Sequence, residues 1–190
     1  NVDLVDVSSS PIERFTATGL EAKGQAFELD AVVFATGFDA MTGALLRIDI
    51  QGREGLSLKD KWSAGPRTYL GLATAGFPNL FMMTGPGSPS VLANMVTGIE
   101  QHAEYIAEAI SWADERDISS FEAALDAENK WVEVVNMRSE ATLYPQCNSW
   151  YLGANVPGKP RVFMPFIGFP DYVAMADEIA AKGYEGFSKA

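Results

Sequence analysis

The run Ala31-Val32-Val33-Phe34-Ala35 is apolar at every position and stops at Thr36-Gly37. A strand with one wet face alternates apolar and polar residues. One that is apolar throughout needs cover on both faces, the situation of a strand in a parallel sheet between helical layers. This requirement points to an α/β fold. A second short run, Asn79-Leu80-Phe81-Met82-Met83-Thr84, reads as another buried strand and ends in Gly85-Pro86-Gly87-Ser88-Pro89-Ser90.

A helix is expected next. Leu92, Met95, Ile99, Ala103, Ile106 and Ile110 recur at three- and four-residue spacing and form one apolar stripe, with Glu100, Glu104 and Glu108 on a solvated face. Ser119-Ser120-Phe121-Glu122 has the form of a capping box and predicts a second helix running to about Glu140. Upstream, Val2, Leu4 and Val5 and then residues 11–18 read as extended pieces, 19–24 as turn, and 27–34 as strand. Residues 143–160 have almost no periodicity, carry Pro145, Pro157 and Pro160, and form a long irregular loop of the functional or mobile kind. A strand at Val162-Phe163-Met164 and a helix over 172–181 close the chain.

Composition removes several classes of function. The 190 residues are 47% hydrophobic, enough for a packed core, which excludes a disordered chain. The net charge of -11 opposes nucleic acid or an anionic membrane as partner, since both require a basic footprint. The single cysteine, Cys147, permits neither a disulfide framework nor a dithiol redox pair, and the single histidine, His102, excludes most histidine-rich metal sites. These counts suit a reducing cytoplasm. The chain opens on Asn1 with an alternating segment and no lead-in, so a native start is expected upstream.

Strands ending in glycine turns and feeding helices are the grammar of a dinucleotide-binding fold. The Gly-x-Gly-x-x-Gly loop is missing, because Gly85-Pro86-Gly87 has Ser90 where the third glycine should stand. Residues 30–39, Asp-Ala-Val-Val-Phe-Ala-Thr-Gly-Phe-Asp, resemble the strand closing the NADPH domain of flavin monooxygenases. Arg47-Ile48-Asp49-Ile50-Gln51-Gly52, the segment 62–71, Phe77-Pro78-Asn79-Leu80-Phe81, Gly85–Ser90, the segment 150–159 and Tyr184-Glu185-Gly186-Phe187 resemble Baeyer–Villiger monooxygenases, in order along essentially the whole chain. Within that family, 88–94 is similar to the phenylacetone monooxygenase type.

The resemblance implies a partial two-dinucleotide-binding-domain flavoprotein. Residues 1–36 would end the NADPH-binding domain, and 37–190 would be the C-terminal segment of the FAD-binding domain. It implies FAD and NADPH as cofactors, O2 as co-substrate, and insertion of oxygen beside a ketone carbonyl to give an ester, with aryl or open-chain ketones favoured. The glycine loops, the family fingerprint and the catalytic arginine would lie upstream, on the missing N-terminal part of the polypeptide. The isolated chain is therefore expected to be inactive, with no catalytic residue of its own.

The resemblance places Ser90, Val91, Leu92, Ala93 and Met95 at the substrate pocket, and Thr36, Gly37, Met95 and Trp150 against the cofactors. The N-terminus of the 92–110 helix, with its positive end and free N–H groups, would favour an anionic flavin edge. Each residue also has a plainer reading. Met95 fills a core position on the stripe, Thr36-Gly37 is an ordinary turn, and Trp150 anchors its loop by burial. His102 reads as structural, and Lys159 and Arg161 as solvated. Two rival functions remain open: a flavin monooxygenase acting on amines and sulfides, and a non-catalytic fragment.

Overall fold

The computed structural model describes residues 1–154, 156–159 and 165–190, so the strand expected at Val162–Met164 lies outside the described residues. The chain divides into two units, Asn1–Gly37 and Phe38–Ala190.

The first unit is an antiparallel sheet of β1 (Ile12–Thr16), β2 (Gly19–Ala22) and β3 (Gln25–Glu28) in that order. Phe15 pairs with Leu20 and Leu20 with Phe27, so one apolar row crosses the sheet. Lys23 (φ 52°) and Gly24 (φ 68°) supply the two left-handed residues of a tight hairpin. Three expectations need correction. Residues 2–7 are not a strand, and Gly19–Ala22 is strand instead of turn. The run 31–35 forms no strand, and Val33 and Phe34 are 86% and 70% exposed. The reason is physical: a two-faced buried strand exists only where neighbours pair with both its edges, and no described strand pairs with this one. Phe34 lies against Phe15 instead, with ring centroids 5.3 Å apart.

The second unit is built on three helices, α3 (Met95–Asp114), α4 (Leu125–Glu140) and α5 (Phe169–Ala181), preceded by the one-turn helices α1 (Gly43–Leu46) and α2 (Leu58–Lys61). The antiparallel pair β4 (Phe121–Ala123) and β5 (Phe187–Lys189) joins the middle of the chain to its end. Trp131 of α4 stands at the centre of the core. It stacks on Phe166 at 5.1 Å and meets Tyr69 and Tyr172 edge-on. The buried carboxylate of Glu128, also on α4, accepts hydrogen bonds from Lys61 Nζ (2.9 Å), Thr74 Oγ1 (3.1 Å) and the Ala75 N–H (2.7 Å), with Arg67 3.6 Å away. A fully buried carboxyl group is tolerated only where donors answer its oxygens. Its effect is to tie residues 61–75 to α4.

Between Glu128 and the start of α3, the chain makes two stacked turns. Leu70 (φ 58°) and Gly71 (φ 71°) turn between the bridged residues Tyr69 and Ala73. The segment 82–88 packs on that turn through Met82 N–H to Leu72 O (2.8 Å) and Gly85 N–H to Gly71 O (3.2 Å). A Cβ on Gly71 would lie 2.6 Å from the Ser88 nitrogen, so only glycine permits this approach. Residues 79–84 are therefore an irregular segment, left-handed at Asn79 (φ 59°) and Thr84 (φ 50°) and held by single bonds, not the ladder strand expected.

The helices were legible in spacing but not in face. Helix α3 buries Gly98, His102, Tyr105, Ala109 and Ala113. The expected stripe leaves Ile99 and Ile110 at 40% and 50% exposure, with Val96 at 65% beside it. Helix α4 begins at Leu125, because the supposed capping box is diverted into β4. The N–H groups of Ser119 and Ser120 both donate to Ala190 O, and Glu122 accepts from Gly76 N–H (2.7 Å) and Arg53 Nε (2.6 Å). Residues 143–154 contain two single 3-10 turns, Tyr144–Gln146 and Trp150–Leu152. The class is mixed α/β with small antiparallel sheets.

Candidate functional site

Ser90, Val91, Leu92, Ala93 and Met95 form one continuous run between the 85–88 turn and α3. Ser90–Leu92 is a 3-10 turn, Asn94 caps α3, and Met95 is its first residue. Burial falls along the run: Ser90 is buried, while Leu92, Ala93 and Met95 are half-buried and Val91 is 36% exposed. The run thus presents short apolar side chains at a surface while its backbone is held from behind. Ser90 has φ 44°, a left-handed conformation that costs a non-glycine residue roughly 1 kcal/mol. Its Oγ contacts Met41 Sδ at 3.9 Å. Met41 is also left-handed (φ 68°) and belongs to the turn before α1. Sequence reading did not single out Met41, which lies just past residues 30–39 that carry the resemblance.

The start of α3 offers less to an anion than its sequence suggests. Asn94 Oδ1 accepts from the N–H groups of Val96 (3.0 Å) and Thr97 (3.3 Å), which removes two of the free donors. What remains is the helix's positive end beside the apolar surfaces of Val91, Met95 and Val96. That combination fits the edge and face of a flat conjugated ring better than a phosphate. The plainer reading of Met95 as a core residue is not what the structure shows, since Met95 lies on the half-buried side of α3.

Behind the run stands His102, on the buried face of α3 and 1% exposed. Its Nδ1 accepts the Thr84 N–H at 2.8 Å, and its Nε2 lies 2.8 Å from the Tyr172 hydroxyl. Tyr172 Oη donates to Leu70 O at 2.8 Å. One arrangement satisfies every atom: Nδ1 bare, Nε2–H donating to Tyr172, and Tyr172 donating to Leu70. Burial pushes the imidazole down to about 4, because desolvation disfavours the cation, and the same effect raises the Tyr172 phenol.

The remaining candidates lie elsewhere. Thr36 and Gly37 close the first unit. Both are exposed, and Gly37 (φ 79°) makes the turn without the strand expected before it. Trp150 opens the second 3-10 turn of the 143–154 segment, is 44% exposed, and stacks on Tyr151 at 4.3 Å, with Tyr144 edge-on to Tyr151. The burial expected of an anchoring Trp150 is thus only partial. Lys159, read from sequence as solvated, is 9% exposed at its side chain. It forms an ion pair with Asp39 and donates to Ala40 O at 2.8 Å. Asp39, Thr42, Trp62 and Lys159 line a cavity of about 250 Å³, and Thr42 Oγ1 is buried there without a hydrogen-bond partner. Arg161 lies outside the described residues. Among the described residues no group of acidic, His and Cys side chains could hold a metal, and no helix is long and apolar enough to cross a membrane.

No family model matches the sequence. Individual relatives do, along its whole length. The cyclopentanone 1,2-monooxygenase of a Comamonas strain is 43% identical over all of this chain and 35% of its own length. A phenazine N-monooxygenase of Lysobacter antibioticus is 40% identical over 98% of the chain and 35% of its own. Among solved structures, oxidised steroid monooxygenase bound to NADP superposes with a TM-score of 0.87 at 51% identity, covering 100% of this chain and 36% of that one. The complex of the monooxygenase OTEMO with FAD and NADP gives 0.88 at 37% identity, covering 100% and 35%. The chain spans about a third of the length of the curated relatives it matches. It is similar over its whole length to the C-terminal part of Baeyer–Villiger flavin monooxygenases.

Proposed function

We propose that the complete polypeptide carrying this chain is an FAD- and NADPH-dependent Baeyer–Villiger monooxygenase. It converts a ketone, O2, NADPH and a proton into an ester, NADP+ and water, with aryl or open-chain ketones favoured over small cyclic ones. The observation that carries this reading is the match over the entire chain to ketone-named monooxygenases and to a steroid monooxygenase bound to NADP. When bound, the flavin supplies the activation of O2. Val91, Met95 and Val96 would lie against its ring at the start of α3, and Ser90 to Ala93 with Met95 would line the ketone pocket. Thr36, Gly37 and Trp150 would contact NADP. Residues 1–36 would close the NADPH domain and 37–190 would complete the FAD domain. The chain's own contribution is to hold apolar side chains around the reacting carbonyl and keep water from it. No glycine-rich pyrophosphate loop is present in the sequence, so the 190 residues alone are expected to purify colourless, and stoichiometric FAD on them would contradict this division of labour.

The test uses the full-length polypeptide with FAD, NADPH, O2 and phenylacetone, with mass spectrometry for the ester. Ester formation supports the proposal. A second reading, oxygenation of a nitrogen or sulfur atom, is favoured by the 40% identity to a phenazine N-monooxygenase. N-oxide or sulfoxide formation without any ester would select it.

A further inference from the structure

Helix α3 joins a buried histidine to the candidate ketone segment through a single backbone amide. Thr84 sits at φ 50°, a conformation a β-branched residue adopts only when held there. The holding group is His102 Nδ1, at 2.8 Å from the Thr84 N–H. From Thr84 the chain runs through buried Gly85, Pro86, Gly87 and Ser88 to Ser90, with no slack. Ser88 is fixed on both sides: its Oγ donates to Gly85 O (2.8 Å), and its carbonyl accepts the Phe166 N–H (2.9 Å). Thr84 and Ser90 thus belong to one buried, hydrogen-bonded segment, and His102 is one of the groups that fix where it starts.

The bond requires one tautomer. With a proton on Nδ1, two N–H groups would face each other. Tyr172 prevents this, because its hydroxyl proton is committed to Leu70 O, leaving its oxygen to accept from Nε2–H. We propose that His102 is a positioning residue for ketone binding, and that the Tyr172–His102–Thr84 hydrogen-bond chain sets the backbone of Ser90 to Met95. This rests on the assignment of that segment to the ketone pocket.

The two amide isosteres separate the nitrogen atoms. Asn places its oxygen near the Nδ1 position and can accept the Thr84 N–H. Gln reaches the Nε2 position and leaves that N–H unpaired. In the full-length polypeptide, His102→Asn is expected to keep the ketone KM within about threefold, while His102→Gln raises it about tenfold or more with kcat nearly unchanged. Amide hydrogen exchange over 84–90 should stay slow in the Asn variant and accelerate in the Gln variant. Tyr172→Phe, a milder change, should raise KM about threefold with the same unchanged kcat. Equal KM values in the Asn and Gln variants overturn the proposal, and so does accelerated exchange at 84–90 with an unaltered KM. If the wild-type polypeptide makes no ester, the functional reading fails. The exchange measurement still decides the His102–Thr84 coupling.

Discussion

Two irregular segments carry the candidate residues of the second unit, and they are held in opposite ways. Residues 82–95 are pinned by long-range groups: Leu72 O, Gly71 O, His102 Nδ1, and Trp131 Nε1, which donates to Gly87 O at 3.0 Å. Among the described residues, the hydrogen bonds within 143–154 are short-range, such as Leu152 N–H to Ser149 O and Gly153 N–H to Trp150 O. Farther along, Lys159 adds the ion pair to Asp39. Absence of a ladder therefore does not imply looseness. A loop can be as fixed as a strand when its polar groups are answered by the core.

The largest expected effect comes from removing the centre of the first arrangement. Trp131→Ala should cost about 3–5 kcal/mol in urea unfolding of the full-length polypeptide, from the cavity and the lost bond to Gly87 O. Trp131→Phe should lose about 1–2 kcal/mol, and equal costs for the two variants would show that the bond to Gly87 O, lost in both, carries the whole effect and the cavity none. Acid is the next lever. His102 titrates at about 4 in the fold against its ordinary 6.5. The unfolded ring takes its proton first as pH falls, so stability present above about pH 6.5 is lost towards pH 4, by about 3 kcal/mol. Unfolding free energies from urea titrations at about pH 7 and about pH 4.5 should differ by about 2 kcal/mol more in the wild type than in His102→Asn.

Gly71→Ala should cost about 2–3 kcal/mol, since its Cβ would meet Ser88 backbone. Gly55→Ala is the matched control, with a similar φ of 74° and nothing within 4 Å, and should cost about 1 kcal/mol. Smallest is Lys159→Met, expected to change global stability by about 1 kcal/mol or less. It should nonetheless speed amide exchange over 149–154 while leaving 84–90 untouched. Equal acceleration of both segments would erase the distinction between them.

The sequence made helices α3 and α5 legible because their spacing is local information. It misled wherever a pattern has meaning only through a distant partner. Ala31–Ala35 has the composition of a buried strand but no described neighbour to pair with. Ser119–Glu122 has the form of a helix start, yet its groups answer Ala190, Gly76 and Arg53, which no local rule can foresee. The stripe of Ile99 and Ile110 was read as apolar, yet the face that α3 buries is another, where Gly98, Ala109 and Ala113 allow a closer approach. The candidate pocket residues Ser90 to Met95 came from resemblance, not from any chemical signature, since short apolar side chains carry none. His102 was recognised as structural, but its role in holding Thr84 depends on a contact eighteen positions away.

The left-handed backbone at Ser90 also bears on how this pocket can be diversified. In a library that randomises position 90, Val, Ile and Thr resist that conformation most and lose some stability, while Gly, Asn and Asp resist it least. Val91, Leu92, Ala93 and Met95 have ordinary room for exchange. Screening breadth belongs at those four positions, with position 90 restricted to the few residues its geometry admits.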